Sequence, residues 1–365
     1  MTLTVLRNGR VHTAADPEAT ALAVTDGTIS WVGGEHAVDT AGPPDRVIDL
    51  AGALVVPGFV DAHVHTLDAG LALTGLDLSG TRSLAECLAA VRTYAADHDG
   101  IVWGHGWEDT RWPEQRPPTR SEIDEAVGHR PAYLSRIDVH SAQLSTALAR
   151  LIADRADGWS DVAPVTRQAH AGVRASARGL LTAEQRRDAR LAFLRSCAAQ
   201  GIVEVHECAA DGPTGLADLA ALLDLDGPIP VRGYLARAVT DPDQARVALA
   251  ETGAHALGGD LVVDGAIGSR TAALTDPYRD CPDDRGVRYL TDEQIVEHLV
   301  ACTIAGVQAG FHAIGDDAVS AVARALSDAA QRLGENATVR MAACAHRVEH
   351  AEMTDAEAIA TFART

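Results

Sequence analysis

The chain contains no lysine. Its 365 residues include 31 basic side chains, and every one is an arginine. A lysine Schiff base and a carboxylated-lysine metal bridge are therefore excluded. Cysteines are few and scattered (Cys87, Cys197, Cys208, Cys281, Cys302, Cys344), with no Cys-x-x-Cys pair, so neither a disulfide framework nor a zinc knuckle is expected. No apolar run approaches the roughly 18–20 residues that span a bilayer. The opening segment, Met1-Thr-Leu-Thr-Val-Leu-Arg7, lacks the apolar core of a signal peptide. The expected location is cytoplasmic. Positive charge is scarce too: the formal net charge is −20, with acids spread along the chain, which argues against nucleic acid or an anionic membrane as partner. A small-molecule substrate is the expected partner, with homo-oligomerisation left open. The 47% hydrophobic and 22% charged content is that of a globular protein able to bury a large core.

Residues 1–56 read as a small β-sandwich-like domain. "TVLRNGRVHT", "ALAVTDGTISWVGG" and "RVIDLAGALVVPG" are β-rich runs, and Asp26-Gly27 between two of them predicts a hairpin. From residue 57 to 365 short apolar strands alternate with amphipathic helical stretches, the pattern of a parallel α/β fold. Several predicted strands end in a His or an acid: His63 and His65, Glu207, Asp264, His312, His350. In a TIM-type (β/α)8 barrel those ends form the active-site face. Residues 107–180, richer in Arg and Pro, read as an insertion over the barrel mouth.

His63 and His65 end the apolar run "VVPGFVDAHVH". Alternate strand residues share a face, so both rings can reach one metal ion. With His312 and His350 at later strand ends, plus an acid, the set suits Zn²⁺, Ni²⁺, Mn²⁺ or Fe²⁺, zinc foremost. An open position on such an ion holds a water whose pKa falls to about 7.

"LVVPGFVDAHVH", "GGDLVVDGAIGSRTAALTDPY", "FHAIGDDAV" and "RVEHAEM", taken in order, resemble the landmarks of the amidohydrolase superfamily. More narrowly they resemble amidohydrolase family 3, which includes N-substituted formamide deformylases. The resemblance implies a metal-dependent hydrolase barrel beside a small β domain. It makes His63, His65, His312 and His350 metal ligands. The position usually held by a carboxylated lysine is Asp260 here, a shorter carboxylate able to assist, so one or two ions are expected and a single tightly held one is favoured. "HGWE" and "DVHSAQLST" resemble pocket-lining segments, offering His105, Trp107 and His140 to substrate, with packing of the insertion the alternative; Ser269 and Arg270 are offered to an anionic or carbonyl group, with a structural ion pair the alternative for Arg270. His206 and Glu207 are expected beside the ligands, supporting them.

Family members run longer and carry an eighth-strand Asp, in a "GSD" context, as general base and acid. No "GSD" occurs in this sequence, so no catalytic residue is assigned. The expectation is a barrel incomplete at its C-terminal strands, a C-terminally truncated member. The implied function is hydrolysis of a non-peptide C–N bond (amide, formamide or cyclic amide) by metal-activated hydroxide. Two alternatives stand beside it: a catalytically impaired remnant or binding protein, and an esterase or lactonase on the same scaffold.

Overall fold

The computed structural model describes residues 1–14, 16–36, 38 and 42–364. They form two compact units, Met1–Phe59 and a larger one from Val60 onward. In the first, the Asp26-Gly27 turn joins strands Ala21–Thr25 and Thr28–Gly33. Both turn residues have positive φ, 48° and 83°, as a tight hairpin turn of the I′ type requires. Strands Leu3–Arg7 and Arg46–Asp49 complete a four-stranded sheet. Alternation sends Val5, Ala21 and Ala23 to one face and Leu6, Leu22 and Val24 to the other, and each face carries its own apolar cluster.

The larger unit repeats strand and helix. Leu76–Asp77 pairs in parallel with Val102–Trp107, which pairs in parallel with Ala132–Arg136. Ile202–Ala210 pairs likewise with Val231–Ala236, and that strand with Ala256–Leu257. Phe59–Val64 borders Ile202–Ala210 in the same sheet, and Gly310–Ala313 pairs in parallel with Arg347–His350. Parallel neighbours need a crossover, supplied by helices such as Leu84–Asp97, Pro213–Leu223, Asp292–Ala305 and Asp316–Leu333. Several helix starts are written locally: Thr119 with Glu122, Thr182 with Gln185 and Thr291 with Gln294 form reciprocal capping boxes. The largest apolar cluster gathers Leu235, Leu257, Leu299, Phe311, Val319 and Val322 between strands and helices. Among the described residues no helix is long and apolar enough to cross a membrane.

Two segments differ from the sequence reading. Part of 107–180 belongs to the sheet itself: Ala132–Arg136 is one of its parallel strands, and Ser141–Leu144 and Val165–Thr166 extend it antiparallel. The strand expected to end at Asp264 is not formed: residues 258–266 make only an isolated bridge, Val262 to His312. Gly258 explains this. A Cβ there would come 2.2 Å from the Gly310 nitrogen, so the chain crosses tightly over the next strand's start instead of running beside it. Gly259, at φ +67°, then turns the chain.

Asp264 fastens this crossing. It is fully buried and accepts hydrogen bonds from the backbone N–H groups of Ala273 (2.8 Å), Ile314 (2.9 Å) and Gly315 (2.8 Å). One carboxylate thereby ties the loop after the "DGAIG" run to the end of the Gly310–Ala313 strand. An amide offers one accepting atom in place of two. Asp264→Asn is therefore expected to lower stability by about 2–3 kcal/mol, seen as a lower urea midpoint with an unchanged slope.

Candidate metal centre

His63 is on the strand Phe59–Val64, and His65 immediately follows it as the N-terminal cap of the helix Thr66–Thr74. His312 is on Gly310–Ala313, and His350 ends Arg347–His350. The Gly258-Gly259 crossing delivers Asp260 between them. Its carboxylate lies 2.9 Å from His65 Nε2, 3.3 Å from His63 Nε2 and 3.4 Å from His312 Nδ1.

Each of these imidazoles is held by its other nitrogen. His63 Nδ1 meets Glu349 Oε2 at 3.0 Å, His65 Nδ1 meets the Cys208 carbonyl at 3.0 Å, and His312 Nε2 meets the Gly265 carbonyl at 3.2 Å. One ring nitrogen anchored to an acceptor and the other turned to a shared centre is how proteins orient metal-binding histidines. The His350 ring completes the group, with centroids 4.8 Å from His63 and 4.5 Å from His312. Single ligand atoms of His63, Asp260 and His350 all fall within 4.8 Å of one another.

The electrostatics point the same way. Burial opposes charge on His63, yet Asp260, Cys208 and Glu349 together push its pKa up to about 12. Burial would raise Asp260, but His312, His63 and His65 hold it well below the usual carboxylate range. The Asp260 carboxylate thus demands positive charge beside it. His350 goes the other way: burial, then His312 and His63, lower it to about 4, leaving the neutral imidazole that ligates metals. Asp260 Oδ1 is buried without a hydrogen-bond partner. An orphaned carboxylate oxygen among four imidazoles is a donor set that fits a divalent ion of the zinc type.

Backbone strain collects here. His350 and Ala351 have φ of +66° and +47°, and Val139 and Arg167 have +55° and +51°. For a β-branched residue such as Val139 this is a rare state, of the kind that persists at functional sites. At His350 the consequence is direct. Regular alternation would send Glu349 and His350 to opposite faces, but the left-handed turn lets both touch His63.

His63, His65, Asp260, His312 and His350 all meet, with Asp138, His140 and Arg174, around a cavity of about 650 Å³. Ser269 reaches the cavity wall through Asp138, whose Oδ2 accepts from its hydroxyl at 2.9 Å. His105 and Arg270 are not among the cavity-lining side chains. Arg270 pairs with Asp280 at 2.8 Å on the surface, the structural alternative named for it. Trp107 takes the packing alternative: it is fully buried against Trp112, with Nε1 donating to the Leu134 carbonyl at 2.8 Å. The cause is a bulge at Gly106 (φ +97°), where the register with Ser135 and Arg136 skips a residue, so Trp107 leaves the face shared by alternate residues. Glu207 accepts from the Thr66 N–H at 2.7 Å, next to His65. His206 stacks on Tyr234 instead, with ring centroids 5.2 Å apart.

The family model described as the amidohydrolase family matches residues 46–365. The chain belongs to amidohydrolase family 3. YtcJ of Bacillus subtilis, an amidohydrolase by its name, is 27% identical over 94% of this chain and 67% of its own length. The Arabidopsis thaliana protein LONG AFTER FAR-RED 3 is 25% identical over 86% of this chain and 59% of its own. The N-substituted formamide deformylase of Arthrobacter pascens is 33% identical over 40% of this chain and 28% of its own. The chain thus spans about three-fifths to two-thirds of the length of the first two relatives. An uncharacterised metal-dependent hydrolase from Pyrococcus horikoshii shares the fold, with a TM-score of 0.72 and 21% identity over 99% of this chain and 72% of that one.

Glu349 escaped the sequence reading, although it stands one residue before His350. Glu349→Gln is expected to weaken Zn²⁺ binding by about 10–100-fold while leaving the protein folded, measured by competition with a chromophoric chelator.

Proposed function

We propose that this amidohydrolase-family chain hydrolyses a non-peptide C–N bond (amide, formamide or cyclic amide) in a small molecule, with the help of one divalent ion, zinc foremost. The observation that carries the reading is the pinning of three imidazoles by their outer nitrogens so that their inner ones surround Asp260. His63, His65, His312 and His350 would hold the ion with Asp260. The ion would supply Lewis acidity, polarising a carbonyl and lowering the pKa of a bound water.

The remaining work falls to the protein's side chains. Glu349 Oε2 keeps the proton on His63 Nδ1, which leaves Nε2 free for the centre. Arg347 steadies Glu349 at 2.8 Å. His140 lines the cavity with its ring centroid 5.8 Å from that of His312. Burial, with His312 and Arg174, lowers it to about 4, so it would meet substrate as a neutral hydrogen-bonding imidazole. The left-handed Val139 beside it fixes that approach. The free thiols of all six cysteines support a reducing, cytoplasmic setting. The names of the formamide deformylase and of a D-hydantoinase among the relatives support the choice of C–N bonds.

The test is a panel of N-substituted formamides, N-acyl amines, cyclic amides, esters and lactones with the metal-loaded protein. C–N hydrolysis is expected to vanish after chelation and to return with about one equivalent of Zn²⁺. His63→Ala should prevent that return. Activity confined to esters and lactones, or C–N turnover unaffected by both chelation and His63→Ala, would overturn the reading.

A further inference from the structure

One helix, Arg167–Gly179, lends a whole face to the cavity that the candidate metal ligands also line. Arg167, His170, Ala171 and Arg174 line the cavity, the i, i+3, i+4, i+7 spacing of a single helix face. Arg174 shares Asp68 with Arg178, on unequal terms. Arg178 takes the carboxylate with Nη2 at 2.5 Å and Nε at 3.2 Å, whereas Arg174 makes one contact, Nη1 at 3.4 Å. Two half-buried guanidiniums therefore divide one carboxylate, and Arg174, the looser of them, is the one at the cavity. Its Nε and Nη2 make no hydrogen bond among the described residues.

Arg167 is also weakly held. Its contact is Asp157 at 3.6 Å, an aspartate whose side chain is 64% exposed. It occupies the first position of the helix, where a cation opposes the helix dipole, and it does so in the left-handed conformation. Helix stability explains neither choice. Beyond Asp68 and Asp157, the acids at the cavity add little compensation. Asp138 is engaged by Arg136 at 2.9 Å and by Ser269 at 2.9 Å, Asp260 belongs to the metal ligands, and Glu352 is exposed. In a chain of net charge −20, which repels anions at long range, an arginine pair held this loosely by its carboxylates is a local exception.

We propose that Arg174, assisted by Arg167, binds a carboxylate of the substrate, so that the compound cleaved is an amide whose acyl or amine part carries a carboxylate group. The inference rests on the C–N hydrolase reading above. Arg174 is well placed for this. Its charge is felt at both His140 and His170, and the His140 ring lies 5.8 Å from that of His312. A carboxylate held by Arg174 would therefore sit across His140 from the ligands, and the same contact would orient the scissile carbonyl toward them. Guanidinium is suited to this role because its planar fork takes a carboxylate through two parallel hydrogen bonds.

Two matched comparisons test it on the metal-loaded protein. The first is kcat/KM for N-formylphenylalanine against N-formylphenethylamine, which differ by the carboxylate. The wild type should favour the former by about 10–100-fold, the worth of a charge-assisted contact, with the gain mainly in KM. Arg174→Gln should remove most of that ratio, Arg174→Lys should keep part of it, and Arg167→Gln should lower it several-fold. The second comparison is calorimetric binding of 3-phenylpropionate against 3-phenylpropanol, neither of which is cleaved. Arg174→Gln should abolish the preference for the carboxylate. If it unfolds the protein, Arg167→Gln and Arg174→Lys decide the matter by the same ratios. Formamide cleavage with a ratio near one, or propionate binding indifferent to these substitutions because it goes to the metal, would overturn the inference and leave C–N hydrolysis standing. Loss of propionate binding in Arg174→Gln, with no formamide turned over by any variant, would sustain the carboxylate site and sink the hydrolase reading.

Discussion

One half-buried carboxylate governs the larger unit. Asp260 lies within 3.4 Å of ring nitrogens on His63, His65 and His312, which come from three separate stretches of chain. A carboxylate taken out of water is costly unless it is compensated. Here the compensation is a ring of imidazoles, each prevented from turning away by an anchor behind it. The carboxylate of Glu349, the carbonyl of Cys208 and the carbonyl of Gly265 are therefore as much part of the centre as the histidines. Displacing any of them would free a ring and leave the carboxylate short of positive charge.

The surrounding backbone is shaped by the need to bring that carboxylate in. Gly258 packs directly on the Gly310 backbone, which removes the room a side chain would take. Asp264 then clamps the following loop to the end of the neighbouring strand through three backbone N–H groups. The left-handed turn at His350 bends the last strand so that two successive side chains reach His63. These are local departures from regular geometry, and they cluster around one cavity. Such strain is tolerated where the surrounding packing over-determines it, and here the large apolar cluster of strands and helices does so.

Charge around the cavity is divided in two. The ligand side is rich in negative demand, centred on Asp260 and supported by Glu349. The helix Arg167–Gly179 brings loosely paired guanidiniums to the same cavity. A small molecule bound there would meet the proposed metal centre and these cations together, which favours a polar, oriented substrate over an apolar one. The scale of the cavity, about 650 Å³, is within the range typical of small-molecule sites.

Much of this was legible in the chain. The strand-and-helix alternation, the Asp26-Gly27 hairpin and the Thr-led helix starts depend on neighbours a few residues apart, and His-x-His at a strand end declares its own geometry through two-residue periodicity. The ordered motifs pointed to the family and to the five side chains that meet at the centre. Trp107 was left between pocket and packing because a one-residue bulge at Gly106 decides the face on which it lies, and periodicity alone carries no mark of where a bulge falls. A strand was expected to end at Asp264 because the apolar run before it is that of one, whereas contact of Gly258 with Gly310, some fifty residues away, decides its path. Glu349, Arg174 and Arg167 were passed over for the same reason. By itself the sequence determined which residues could bind a metal and which chemistry the missing lysine forbids. Only the tertiary structure decided which second groups hold them and which charges are left loosely paired, because those depend on through-space neighbours that the chain order does not encode.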